Sequence, residues 1–189
     1  MKIVLLRHGQ PEYDLFAESK NRFAPSELRR IILRYTESSL DPAVKPSAKT
    51  YQLAQSCNAI VCSNLTRSIE SARMLGHDEI HLVDPVFRES DLPHADWRFP
   101  RLSLYTWVIT FRLLWLLGYA NNGEAIKLAK QRALVASNIL TSLAKEHDSV
   151  LLAGHGFMNR FIASHLRANG WRGPKDPGRQ FWDYGVYHL

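Results

Sequence analysis

The sequence predicts an α/β fold, a three-layer α/β/α sandwich with a mostly parallel central sheet and a helical cap. Three observations carry this expectation. The apolar runs "IVLL" (3–6) and "VLLA" (150–153) are continuous rather than alternating, as in strands buried on both faces under helices. Segments of helical periodicity separate the strand-like runs, giving a repeated strand-helix order. With 189 residues, 46% of them hydrophobic, the chain can bury a full core, which argues against intrinsic disorder.

The elements follow in order. A strand is expected at 2–7, a helix near 26–36, a polar, proline-containing link at 38–47 and a short helix near 48–56. Next come the strand "NAIVCS" (58–63), the helix "NLTRSIESARML" (64–75), the strand "EIHLV" (79–83) and a loop holding Pro85, Pro93 and Pro100. Helices are expected over 102–118 and 122–146, then the strand "SVLLAGH" (149–155) and the helix "FMNRFIASHLRANG", which Gly170 closes. The C-terminal "FWDYGVYHL" reads as a last strand whose aromatics pack, with no role for His188. No internal repeat or low-complexity segment interrupts the pattern. The whole of 1–189 is expected to form one domain, with a cap or insertion at 90–122.

The stretch "LSLYTWVITFRLLWLLGYA" (102–120) resembles a membrane span at first sight, but Arg112 interrupts it and a span needs about 20 predominantly apolar residues. Trp107, Phe111 and Trp115 share one helix face. Core or cap packing is the first reading of that face; the lining of an apolar substrate pocket and contact with a membrane surface are the others. Membrane contact is not expected.

The formal charge is +6, from 24 basic and 18 acidic residues, which favours anionic partners. The basic stretches Lys20 to Arg34 and Arg160 to Arg179 lack the interleaved aromatics of a single-strand groove, so no nucleic-acid partner is expected. A small phosphorylated substrate, or inorganic phosphate, accounts for the sign equally well. Cys57 and Cys62 are the only cysteines, too few for a disulfide framework. The apolar run before Arg7 is too short for a secretory segment. A cytoplasmic protein is expected; oligomeric state is not specified.

In parallel sheets ligands bind beyond the carboxyl ends of the strands. Here one strand ends in "RHG", another in "SNLTR" and a third in "GHG", so parallel strands would bring Arg7, His8, Arg67 and His155 to one edge. Transfer of a phosphoryl group needs a nucleophile, positive charge around the non-bridging oxygens and a proton for the leaving oxygen. His8 beside Arg7 would stay neutral near pH 7 and keep a nitrogen lone pair. Arg7 and Arg67 supply forked donors to phosphate oxygens. Arg67 would also sit in the first turn of its helix, where the dipole favours an anion. His155, flanked by Gly154 and Gly156, could donate from its ring.

"LLRHGQPE", "CSNLTRSIESA" and "VLLAGHG" resemble, in this order, the three signatures of the histidine phosphatase superfamily, the phosphoglycerate mutase-like phosphatases. The resemblance spans residues 2–156. It implies a phosphohistidine mechanism that requires no metal or other cofactor: His8 attacks phosphorus, Arg7, Arg67 and His155 hold the oxygens, and water hydrolyses the intermediate. It also implies an acidic proton donor in mid-chain. Within "DPVFRESDLPHADW" Glu89 matches that position best, with Asp91 as the alternative and Asp96 further on. Supporting positions are Gln10, Asp14, Glu124 and Gly156. Asp14 stands where the mutases carry asparagine, so it either points away from phosphate or binds a polar group of the substrate. Glu124, in "NNGEA", either orients the site or caps its helix. Ser71 replaces the family's threonine, and "SDLPHADWRFP" departs from the pattern after the acid, so a differently built cap is expected.

Two other patterns are discounted. "HDEIH" (77–81) places Glu wrongly for a zinc-protease motif and reads as a strand, so no metal site is expected. Ser63 lacks a nucleophile elbow and is expected to cap a helix or bond within its loop. The expected function is metal-independent phosphomonoester hydrolysis on a small phosphorylated metabolite. A phosphoglycerate-type mutase and a noncatalytic phospholigand-binding protein are the alternatives. The aromatic helix and Trp97 suggest an apolar or ring-containing leaving group.

Overall fold

The computed structural model describes residues 1–15 and 21–189; Lys20, at the start of the first basic stretch, lies outside the described residues. A five-stranded sheet forms the centre, from β1 (Lys2–Arg7), β3 (Ala59–Cys62), β4 (Leu82–Val83), β6 (Ser149–Gly154) and β7 (Tyr184–His188). The strand order is β4-β3-β6-β1-β7. Neighbours run parallel except β7, which pairs antiparallel with β1 at the edge.

Side-chain alternation divides the core into two layers. Ile3 and Leu5, Ala59 and Val61, and Val150 and Leu152 belong to one apolar cluster. Val4 and Leu6, Ile60 and Cys62, and Leu151 and Ala153 belong to the other. Each run is continuous because both faces are covered, and each fully buried Leu, Ile or Val contributes about 1.5–3 kcal/mol. The first layer is closed by α5 (Ile126–His147) and α6 (Gly156–Ala168), the second by α2 (Ala48–Gln55) and α3 (Thr66–Met74). Ala129, Ala133, Ala136 and Ala144 are all inaccessible on α5, and side chains this small let the helix lie close to its neighbours.

A third cluster lies apart from the sheet. It joins α1 (Leu28–Glu37) to α4 (Leu104–Leu116) through Leu28, Ile31, Leu104, Trp107 and Phe111. Two short strands, β2 (Arg22–Phe23) and β5 (Leu102–Ser103), pair antiparallel at its base. Both helices also contribute residues to the lining of one cavity, Ile32 and Tyr35 from α1 and Val108 and Arg112 from α4. Trp107, Phe111 and Trp115 are at most 3% exposed; Trp107 donates its indole N–H to the Phe23 carbonyl and Trp115 to that of Glu124. That face of α4 packs internally. No helix among the described residues is long and apolar enough to cross a membrane.

Element ends differ from expectation in one instructive place. The strand expected at 79–83 shrinks to Leu82–Val83, paired with Val61 and Cys62. His81 lies just outside it but still meets β3 twice: its amide donates to the Ile60 carbonyl at 2.9 Å and its Nδ1 accepts the Ile60 amide at 3.2 Å. Both cysteines are free and buried, and burial pushes the Cys62 thiol up to about 12.

Candidate active site

Strand register builds the site. Arg7 at the end of β1 lies opposite Gly154 at the end of β6, and the His8 amide donates to the Gly154 carbonyl at 3.0 Å. His8 and His155 consequently face each other with ring centroids 5.0 Å apart. Gly9 follows because no side chain fits there: a Cβ would collide with the Trp182 indole. The Gly9 amide instead donates to Ser71 Oγ at 2.9 Å, and Ser71 donates to the Arg67 carbonyl at 2.6 Å. The strand end and α3 are thus tied directly together, with serine doing what the family's threonine hydroxyl could.

His8 is 3% exposed. Its Nδ1 lies 2.7 Å from the Gly9 carbonyl, so Nδ1 carries the proton. Nε2 then has the lone pair, and it accepts from Arg67 Nε at 3.2 Å. Burial, followed by the Arg67 charge and then Arg7, holds His8 well below the usual histidine range, and the Gly9 hydrogen bond opposes this only in part. The sequence attributed neutrality to Arg7 alone; the protein interior is the larger cause.

Arg67, in the first turn of α3, also donates from Nη1 to the Thr36 carbonyl at 2.9 Å and stacks over Tyr35. Arg7 lies over the Phe181 ring at 4.4 Å and donates to the Arg179 carbonyl, while its buried Nε has no partner among the described residues. His155 is wholly buried, with Ser63 Oγ 2.7 Å from its Nε2 and no partner on Nδ1 among the described residues. Burial first, then His8 and the two arginines, also keeps it well below the usual histidine range. Two unspent buried nitrogens, Arg7 Nε and His155 Nδ1, therefore sit beside a neutral imidazole. Buried polar atoms without partners are rare, and an anion's oxygens would satisfy both.

Glu89 stands at the N-terminus of α6. Its Oε2 accepts the Phe157 amide at 3.0 Å, and Oε1 accepts Met158 at 3.1 Å and Ser90 at 2.9 Å. A Cβ on Gly156 would lie 3.7 Å from both Arg7 Nε and Glu89 Oε2, so this glycine sits between the cation and the carboxylate. Glu124 does not cap α5, whose N-cap is Ala125 without a side-chain bond. It pairs with Arg132 through bonds of 2.8 and 2.6 Å, and Arg132 donates to the carbonyls of Val86 and Arg88 at 2.9 and 2.7 Å. Glu124 thereby braces the segment that carries Glu89.

A cavity of about 280 Å³ is lined by Arg7, Arg67 and Glu89, with Gln10, Asp14 and Asp91 among its other polar residues, while the buried His8 and His155 are not part of its lining. Asp14 and Asp91 are exposed, and Asp96 is exposed but not part of the lining. Trp97 does not line the cavity either. Its apolar wall comes instead from residues including Leu15, Ile32, Leu92, Val108 and Phe157. Ser63, Tyr35, Arg112 and Arg132 are the site residues that sequence reasoning missed. Ser63 lay inside a quoted motif; the others reach the site through tertiary packing and carry no local signature. His77 and His81 belong to no metal-binding group, and among the described residues no cluster of three or more potential ligands occurs.

The profile of the histidine phosphatase superfamily (branch 1) matches residues 3–177. The chain belongs to that superfamily. Among solved structures, a mycobacterial glucosyl-3-phosphoglycerate phosphatase in complex with VO3 is 20% identical, with a TM-score of 0.60 over 98% of this chain and 91% of that one. A Bacillus stearothermophilus protein, YhfR, is 18% identical, with a TM-score of 0.59 over 100% of this chain and 94% of that one. A phosphoserine phosphatase mutant from Entamoeba histolytica is 18% identical, with a TM-score of 0.54 over 88% and 80% of the two chains. At these identities the likeness is one of fold. No curated protein matches the chain.

Proposed function

We propose that the chain hydrolyses phosphomonoesters through a phosphohistidine at His8. The observation that carries the proposal is the His8 tautomer: Nδ1 is committed to the Gly9 carbonyl, so the lone pair of Nε2 is directed at Arg67 beneath the cavity. A phosphoryl group entering there would draw the Arg67 donor onto its own oxygens and expose Nε2 to phosphorus. Arg7 and the Nδ1–H of His155 supply further donors, which gain strength as negative charge concentrates in the transition state.

The balance of the reaction runs through two carriers. Nε2 bonds to phosphorus as the ester P–O bond breaks, and the departing oxygen takes a proton from Glu89. The resulting carboxylate accepts a proton from water, whose oxygen bonds to phosphorus as the N–P bond breaks and inorganic phosphate leaves. Phosphatases among the structural relatives support hydrolysis as the outcome.

The test is rapid quenching of the native chain and His8→Ala during turnover of an aryl phosphate with excess chelator. The expected result is phosphate release together with an acid-labile phosphoryl adduct on the peptide containing His8, both lost in the variant. Turnover that persists in His8→Ala would overturn the assignment.

A further inference from the structure

Arg112 belongs to the cavity wall but to none of the steps above. It lies on α4, one helical turn after Val108, which also lines the cavity. Its guanidinium carbon lies 4.8 Å from the Trp115 centroid and 4.2 Å from that of Phe157, two rings set edge to face at 86°. Its one hydrogen bond among the described residues goes from Nη1 to Ser90 Oγ at 3.2 Å, and it takes part in no ion pair there. A guanidinium carries five N–H donors, so most of its hydrogen-bonding edge is unspent. Burial pulls its proton affinity down, and the charges of Glu89 and Asp91 only partly compensate.

Keeping a half-buried cation without a paired carboxylate is unfavourable. Bracing Ser90 alone would need one neutral donor rather than a planar fork. The surrounding Leu92, Val108 and Phe157 lower the local dielectric, which strengthens any ion pair formed there. In that reading Arg7 and Arg67 serve the reacting phosphoryl group, and Arg112, which lines the same cavity, is left for the leaving group.

Resting on the phosphatase reading above, we infer that Arg112 selects phosphomonoesters whose leaving group bears a carboxylate, which its planar fork binds in bidentate fashion. The apolar wall takes the carbon chain between the two anionic ends. This narrows the substrate class from any small phosphate ester to phosphorylated carboxylic acids.

The test is calorimetric titration of the native chain, Arg112→Gln and Arg112→Lys with ω-carboxyalkyl phosphonates of increasing chain length and the matching alkyl phosphonates, none of which can be hydrolysed. For the best-fitting length, the native chain is expected to bind the carboxylated member about tenfold more tightly, as a charge-assisted bond predicts. Arg112→Gln should abolish that advantage and Arg112→Lys should keep part of it. Equal affinity of both series for the native chain at every length overturns the carboxylate site alone. So does an equal loss of both series in Arg112→Gln, which would make Arg112 a brace for Ser90. Failure of the native chain to bind either series overturns the phosphate-site reading, and this inference with it.

Discussion

Ser63 Oγ lies 2.7 Å from Nε2 of His155, and the same oxygen accepts the Leu65 amide at 3.3 Å. Among the described residues the hydroxyl proton of Ser63 has no acceptor other than Nε2, and giving it there places the imidazole proton on Nδ1. Ser63 is thereby a positioning residue that turns His155 into a donor. Ser63→Ala is expected to lower kcat/KM on an aryl phosphate about tenfold, the worth of one buried hydrogen bond. Ser63→Thr should retain most activity. Nitrogen NMR of the imidazole supplies the independent readout: an Nδ1-protonated His155 in the native chain, and a tautomer mixture in Ser63→Ala. An unchanged spectrum and rate would remove Ser63 from the mechanism.

Glu89 and Asp91 both line the cavity, but only Glu89 is fixed, by the three amides of Ser90, Phe157 and Met158. If Glu89 protonates the leaving oxygen, its loss matters most when that oxygen leaves poorly. Glu89→Gln is expected to reduce kcat on alkyl phosphates by about 10²–10⁴-fold and on p-nitrophenyl phosphate far less. Asp91→Asn should leave the ratio between the two substrates as it is. A uniform loss on both esters in Glu89→Gln would assign Glu89 to binding rather than proton transfer.

The contrast between these residues shows what the sequence could disclose. Arg7, His8, Arg67 and His155 were legible because each follows a continuous apolar run, and parallel register then brings strand ends together irrespective of the loops. Glu89 was reached only through family resemblance, since a lone carboxylate after a turn has no physical signature. Tyr35 and Arg112 come from α1 and α4, whose mutual packing is set by Leu28, Ile31, Trp107 and Phe111. Helical periodicity shows that such faces are apolar without showing which other face they meet. For Glu124 the sequence left orienting the site and capping its helix both open, because its partner Arg132 is one of several cations on a long helix.

The Glu124–Arg132 pair is about one-fifth exposed at each side chain and holds the carbonyls of Val86 and Arg88. Arg132→Met leaves a half-buried carboxylate and two carbonyls without partners, an expected cost of about 2 kcal/mol in urea unfolding. Because the segment leads into Glu89, kcat on alkyl phosphates should fall with little change in KM. Glu124→Gln combined with Arg132→Met should cost less than the two single changes added, since both remove one shared interaction. Simple additivity would show that the pair does not act as a unit.

His8 and His155 are both held well below their ordinary value of 6.5, chiefly by burial. In the unfolded chain each takes up a proton as the pH falls through about 6.5, while in the folded chain each stays neutral. The unfolded state therefore binds more protons across that window, and stability must decrease as pH is lowered below about 6.5, by up to about 1.4 kcal/mol per pH unit for each histidine. The loss stops growing only when the folded-state values are reached. Urea unfolding of the phosphate-free chain at a series of pH values measures the slope, and His8→Ala should flatten it by one histidine's share. The same neutrality keeps the Nε2 lone pair of His8 available in mildly acidic solution, so the acidic limb of kcat/KM should lie below pH 6.5 unless another group titrates first. A stability slope that His8→Ala leaves untouched would mean that His8 is protonated in the folded chain, and it would remove the nucleophile from the proposed reaction.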